Sequence, residues 1–62
     1  MKVAVITEKC ELDNGETGRR TVECPIELIE YPLDDRIKAY DDFDGECINS
    51  KVTDVRIIEV GD

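Results

Sequence analysis

Three stretches of the chain carry the hydrophobic spacing of β-strands. Residues 2–8 hold an unbroken apolar run, which is typical of a central strand buried on both faces. Residues 20–28 alternate apolar and polar side chains, which predicts a strand with one buried face. Residues 52–60 are apolar on both faces near their end, so this strand needs a second covering surface.

The first two strands are separated by a sequence that favours a tight hairpin. Asn14-Gly15 supplies the positive φ values that a two-residue turn requires. With that turn, Val5 lies opposite Cys24, and apolar side chains meet on one face of the hairpin. Pro25 has no N–H group to donate, which predicts that the second strand lies at the edge of the sheet.

The spacing of apolar residues changes after the second strand. Leu33, Ile37 and Tyr40 recur at i, i+4 and i+7, which predicts a helix with this face against the sheet. Pro32 suits the first turn of that helix, where a missing N–H group costs nothing. Gly45 suits its C-cap, because glycine adopts positive φ without strain.

These elements predict a single α+β domain over residues 1–62. Its order is β-β-α-β, with a three-stranded antiparallel sheet of strand order 2-1-3 and one helix on one face. A domain this short buries only about 60% of its unfolded surface, so it needs a further source of stability. One helix leaves the other sheet face open, and we expect a homodimer contact there. The expected interface residues are Ala4, Ile6, Ile58 and Val60.

Charge distinguishes this chain more than any other property of its composition. It has 16 acidic and 8 basic residues, and its net charge at pH 7 is −8. Residues 21–50 contain nine acids and two bases, so most of the net charge lies between the second strand and the end of the predicted helix and loop. This balance disfavours direct nucleic-acid binding, which requires Lys and Arg to neutralise phosphates. A basic protein surface is the expected partner.

The candidate partner-binding residues are therefore mainly acidic. Asp34-Asp35 and Asp41-Asp42 are seven residues apart, which is about 10 Å along one helix face. That separation is compatible with mimicry of DNA phosphates, and a solvated face that only keeps the protein soluble accounts equally well for the charge. The acidic candidates are Asp34, Asp35, Asp41, Asp42, Asp44, Glu46, Glu27 and Glu30.

Catalysis and metal binding have little basis in the sequence. The chain has no histidine, the commonest general base and a common zinc ligand. Cys10, Cys24 and Cys47 form no C-x-x-C pair, and Cys24 is expected in the core. An EF-hand alignment of the acidic stretch puts Lys51 where the last glutamate belongs. We expect no enzyme activity, no cofactor and no metal site, with a weak cation-binding or redox module as the remaining alternative.

The cysteine count also bears on the compartment. An odd number of cysteines and the lack of a signal-peptide pattern argue against a secreted disulfide-bonded fold. No apolar run approaches the ~20 residues that a membrane span needs. We therefore expect a cytoplasmic protein.

From Glu23 onward the chain resembles the small phage-encoded inhibitors of bacterial RNA polymerase of the T7-like type. The resemblance rests on Cys24-Pro25-Ile26, Leu33-Asp34-Asp35 and Val52-Thr53-Asp54-Val55-Arg56. It implies a β-β-α-β domain that binds the polymerase and blocks initiation through two arginines of the last strand. Arg56 matches the second arginine, whereas Asp54 stands in place of the first. The acidity is also similar to that of phage inhibitors of uracil-DNA glycosylase, which mimic DNA.

Together these features predict a small acidic inhibitor of phage origin that docks on a basic surface of a host protein. The expected partner is RNA polymerase, a DNA-repair enzyme or a defence enzyme in the host cytoplasm. The alternative is a homodimeric structural or accessory module whose acidic surface only solubilises it. Charge reversal separates the two hypotheses, because it abolishes function only in the first.

Overall fold

An antiparallel sheet of four strands forms the body of the protein. The computed structural model describes residues 1–31 and 34–61. The strands are β1 (Lys2–Leu12), β2 (Thr17–Pro25), β3 (Lys38–Asp41) and β4 (Cys47–Glu59), and a short 3₁₀ helix, Ile26–Leu28, follows β2. The strand order in the sheet is β3-β2-β1-β4.

The expected α+β fold, with three strands and one helix, is wrong. The described residues contain no α-helix, and Tyr40 lies in β3 rather than on a helix face. Pro32 and Leu33, which were expected to begin the helix, lie outside the described residues. Most of residues 34–45 are Asp, Tyr, Phe or Gly, which are weak helix formers. Their propensity does not offset the cost of helix nucleation, and residues 38–41 pair with β2 instead.

The hairpin between β1 and β2 has a three-residue loop, residues 13–15, instead of the expected two-residue turn. The Leu12 N–H donates to the Glu16 carbonyl at 2.9 Å, which closes the loop. Gly15 has a φ of +86°, as the last residue of such a loop requires. The Asn14 side-chain oxygen accepts from the Glu16 N–H at 2.9 Å and fixes the turn from within.

The extra loop residue changes which side chains share a face of the sheet. Ala4, and not Val5, lies opposite Cys24. A shift of one residue moves every side chain of a strand to the other face, so the expected pairing of faces is inverted. We call the face that carries Ala4 and Ile6 the Ile6 face, and the face that carries Val3 and Val5 the Val3 face.

The central position belongs to β1, which pairs antiparallel with both β2 and β4. The expectation that β2 lies at an edge is wrong, because β3 pairs with residues 20–23 of β2. Pro25 lies beyond that short pairing, so its missing N–H group removes no hydrogen bond to β3. The two edges of the sheet are therefore β3, with four residues, and β4, with thirteen.

The buried core is small and lies along β1 and β2. Its apolar members are Val3, Ala4, Cys10, Leu12, Cys24 and Leu28. By contrast, every residue of β4 is exposed except Cys47, which is half-buried. Val55 and Ile57 lie on the Ile6 face and keep exposures of 57% and 62%. One side of the sheet is therefore apolar but uncovered near its β4 edge.

A β-bulge interrupts the pairing of β4 with β1. Thr7 pairs with Asp54, but Glu8 pairs with Val52, so Thr53 is the extra residue. The Thr53 hydroxyl donates to the Thr7 carbonyl at 3.2 Å, which satisfies that carbonyl at the bulge.

The molecule is elongated, with principal extents of 40 × 21 × 17 Å. This shape follows from a single twisted sheet whose long strands are covered by little else. None of the helical structure in the described part of the chain has the length and apolarity to cross a membrane.

Candidate interaction site

Two loops meet at one end of the sheet. Residues 13–16 join β1 to β2, and residues 42–46 join β3 to β4. The Asp13 side-chain oxygen Oδ1 lies 3.8 Å from the position that a Cβ on Gly45 would take. We call these two loops together the acidic tip. They contain no Lys or Arg, and their carboxylates are Asp13, Glu16, Asp42, Asp44 and Glu46.

Asp42 anchors the acidic tip to the sheet. Its N–H donates to the Arg19 carbonyl at 3.0 Å, and its Oδ1 accepts from the Arg19 N–H at 2.6 Å. These two hydrogen bonds continue the pairing of β2 with β3 beyond the end of β3. The Asp42 carboxylate is therefore a structural group as well as a member of the tip.

Asp41 and Phe43 form the base of the tip together with Arg20. The Arg20 Nε donates to the Asp41 Oδ1 at 2.8 Å, and this hydrogen bond raises the pKa of the Arg20 guanidinium. The guanidinium also lies 5.9 Å from the centre of the Phe43 ring, within range of a cation–π contact. The Phe43 ring packs directly on Gly18, where a larger residue has no room. Asp41 is therefore neutralised within the molecule.

A second group of carboxylates lies at the opposite end of β2. Its members are Glu27, Glu30, Asp34 and Asp35. Arg36 lies 3.2 Å from Glu27 through Nη1 and 3.2 Å from Asp34 through Nε. The side-chain hydrogen bond from Arg36 is the main reason why the pKa of Asp34 lies below its usual value. Half of this group is thus paired with an internal cation.

The eight acidic candidates do not form one surface. Without a helix, the expected spacing of about 10 Å between Asp34-Asp35 and Asp41-Asp42 along one helix face does not exist. The structure divides the candidates between the two ends of a 40 Å molecule. Only Asp42, Asp44 and Glu46 of the original set belong to the acidic tip.

Asp13 and Glu16 belong to the acidic tip but are not among the residues predicted from the sequence. Both flank Asn14-Gly15, so a hairpin turn was the signal that they lie together at one end. Their proximity to residues 42–46 depends on β3, which brings the second loop to the same end. A helix over these residues would not bring the two loops together, so the acidic tip does not follow from the predicted fold.

Arg56 lies in β4 on the Val3 face, opposite Val5. Its Nε donates to the Asp54 Oδ2 at 2.9 Å, and its side chain is 76% exposed. It is therefore available at the surface, but it is far from the tip because β4 runs 13 residues along the sheet edge.

The expected dimer residues do not share one face. Ala4 and Ile6 lie on the Ile6 face, whereas Ile58 pairs with Val3 and lies on the Val3 face. Ala4 is only 3% exposed and has almost no surface to offer a partner. Val60 follows β4, where its N–H donates to the Met1 carbonyl at 2.8 Å. The four residues therefore cannot form a single flat contact.

All three cysteines, Cys10, Cys24 and Cys47, are free thiols. Cys10 is fully buried, and Cys47 is half-buried and donates to the Asn49 carbonyl at 3.4 Å. A hydrogen bond with Cys47 and, next, burial raise the pKa of Cys10 to about 11. A thiol with a raised pKa is a poor nucleophile at neutral pH.

A shallow groove of about 330 Å³ on the Val3 face is bounded by Val3, Pro25 and Ile58, with Arg36 and Lys38 at its rim. No set of three His, Cys, Asp or Glu residues within residues 1–31 and 34–61 is arranged to hold a metal ion.

The chain matches no known protein family, no curated protein and no solved structure. The resemblance to phage polymerase inhibitors remains a prediction, and the β-β-α-β fold that it implies differs from the observed sheet.

Proposed function

We propose that the protein is a small binding protein that inserts its acidic tip into a basic surface of a nucleic-acid-processing or defence protein and inhibits it. The observation that carries the proposal is the meeting of two loops with five carboxylates and no Lys or Arg. In this proposal the protein is of phage origin and acts in the host cytoplasm. It is not an enzyme, and it occupies a groove that otherwise holds phosphates.

The tip is suited to electrostatic recognition because part of its charge is unpaired. Within the described residues, Asp44 and Glu46 are exposed and take part in no ion pair or side-chain hydrogen bond. A cluster of carboxylates at the end of the elongated sheet attracts a cationic partner over roughly a Debye length, about 8–10 Å at physiological salt. Such attraction increases the association rate and gives preference for a basic groove.

Charge reversal at the tip tests the proposal. We expect Asp44→Lys with Glu46→Lys to abolish capture of the partner from bacterial lysate without altering the fold, because neither side chain is bonded to the sheet. The matched control is Glu30→Lys with Asp35→Lys, which changes the net charge equally at the other end of the molecule. Capture is measured by mass spectrometry at low and high salt, and circular dichroism checks the fold.

A duplex DNA competitor makes the test specific. If the tip occupies a nucleic-acid groove, DNA and high salt both displace the captured protein, and the control variant captures it as the unaltered chain does. Capture that persists with the tip variant, or that is equally lost in the control, would contradict the proposal. Asp41 and Asp42 are unsuitable for this test because both are bonded to β2.

A second candidate function is a homodimeric structural or accessory module whose acidity only solubilises it. The observation that favours it is β4, an exposed strand at the sheet edge with apolar side chains on both faces. In that case, function withstands reversal of Asp44 and Glu46 and is lost when β4 is altered.

A further inference from the structure

The outer edge of β4 is the longest unpaired strand edge within residues 1–31 and 34–61. A strand at an edge presents a row of N–H and C=O groups that another strand can pair with. Natural proteins protect the edges of their sheets by keeping the edge strand short, by placing charges on it or by covering it. β3 is such a short edge strand, with four residues. β4 has 13 residues, and nothing in the described residues covers its outer side.

The charges of β4 are arranged so that the strand complements itself. Asp54 and Arg56 flank Val55 and lie on the Val3 face. When two identical strands pair antiparallel about a two-fold axis perpendicular to the sheet, one residue lies opposite itself. With Val55 at the axis, Asp54 of each copy lies opposite Arg56 of the other.

Other registers lack this match. An axis at Asp54 sets two aspartates against each other, and an axis at Arg56 sets two arginines against each other. Like charges directly opposite one another in a sheet are destabilising, and opposite charges are stabilising. The charge pattern therefore selects the register centred on Val55.

The apolar side chains of β4 agree with the same register. On the Ile6 face, Val55 meets Val55 of the second copy. Val55 and Ile57 are 57% and 62% exposed in the single chain. Pairing places the apolar strips of the two copies side by side on one face, which removes part of this surface from water.

The geometry also limits the assembly to two copies. Pairing through β4 yields a continuous sheet of eight strands whose outer edges are the two β3 strands. Each β3 has four residues and includes Lys38 and Asp41, which is a poor template for further growth. The bulge at Thr53 ends regular pairing close to the axis, so the contact is confined to the region around Val55.

We propose that two copies of this chain pair antiparallel through β4, with Val55 on the two-fold axis and reciprocal Asp54–Arg56 contacts. This contact differs from the expected face contact through Ala4, Ile6, Ile58 and Val60. It is also independent of the acidic tip, because β4 begins after the tip loops.

Mixing of charge variants tests the register directly. Asp54→Arg gives a strand with two arginines at these positions, and Arg56→Asp gives one with two aspartates. We expect each variant alone to dimerise roughly tenfold or more weakly than the unaltered chain, because like charges face each other. An equimolar mixture of the two variants restores the dimer, because every Arg then faces an Asp. An effect within one chain cannot be rescued by mixing.

Sedimentation equilibrium measures the outcome, since the chain has a mass of 7.0 kDa and the dimer has twice that mass. Native mass spectrometry of a mixture with one variant isotope-labelled identifies the mixed dimer. The variant Asp44→Lys with Glu46→Lys is expected to dimerise as the unaltered chain does, which separates this inference from the proposed function. An unaltered chain that stays monomeric at all concentrations, single variants that dimerise normally, or a mixture that fails to assemble would overturn the inference.

Discussion

The ionisation of a single side chain, Cys10, makes the stability of the fold depend on pH. It is fully buried on the central strand, and its thiol is hydrogen-bonded with Cys47. That hydrogen bond, together with burial, favours the protonated thiol and raises its pKa from about 9 to about 11. The folded state therefore holds the proton more tightly than the unfolded state does.

We predict that the free energy of unfolding falls as pH rises from about 9 to about 11. The contribution of the thiol is fully present below its unfolded pKa, and it is lost as pH rises through the folded pKa. Urea denaturation at a series of pH values measures this slope. Cys10→Ala is the control, because it retains every other titrating group. An identical slope in the two proteins in this pH range would contradict the prediction.

Position 18 requires a glycine because the Phe43 ring packs directly against it. A Cβ at this position would overlap the Phe43 side chain, so Gly18→Ala must displace the ring. We predict a loss of about 1–3 kcal/mol in the free energy of unfolding, which is typical of overpacking. Urea denaturation measures it. Gly61→Ala is the matched control, because open space surrounds Gly61 and the change is expected to stay within about 0.5 kcal/mol.

A double-mutant cycle identifies the cause of the Gly18 effect. If the clash with Phe43 is responsible, Gly18→Ala costs much less stability in a Phe43→Ala background. An equal loss in both backgrounds would assign the effect to the backbone of β2 and not to the ring.

At the scale of elements, the sequence identified strands better than their register. The apolar runs correctly predicted that β1 pairs with the second and last strands, since hydrophobic spacing reports burial. Register depended on one loop residue. Asn14-Gly15 suits two-residue and three-residue hairpins alike, and the choice between them decides whether Val5 or Ala4 lies opposite Cys24.

The sequence predicts only part of the acidic tip, because the tip depends on how the elements pair. Leu33, Ile37 and Tyr40 have helical spacing, but three positions are too few to distinguish a helix from a turn that leads into an edge strand. Because residues 38–41 form β3, the acidic residues that follow lie at the same end of the sheet as Asp13 and Glu16. The acidic composition was visible in the sequence, and its division between two ends depended on tertiary pairing.

The whole molecule carries more negative charge than its internal cations neutralise. Its net charge is −8, and the carboxylates Asp44 and Glu46 at the tip are unpaired within the described residues. Repulsion among like charges is stronger in the compact state than in the expanded unfolded chain. Folding therefore concentrates a repulsion that added salt screens.

We predict that the melting temperature rises as sodium chloride is added, because screening relieves this repulsion. Differential scanning calorimetry from low to physiological salt measures the effect. The variant Asp44→Lys with Glu46→Lys has a smaller net charge and is expected to show a smaller rise. A melting temperature that falls with salt in the unaltered chain would mean that favourable ion pairs, such as Arg36 with Asp34, outweigh the repulsion.

The two strands that pair with β1 differ greatly in their separation from it along the sequence. β2 follows β1 after a three-residue loop, whereas Leu12 pairs with Cys47, 35 residues later, and Lys2 pairs with Glu59, 57 residues later. A hairpin forms in about 1–10 μs, but closing a long loop costs more entropy and takes longer. We therefore expect the β1–β2 hairpin to form first during folding, which leaves the other edge of β1 unpaired until β4 docks against it. During that interval the unpaired edge of β1 is exposed, which makes newly made chains prone to aggregate.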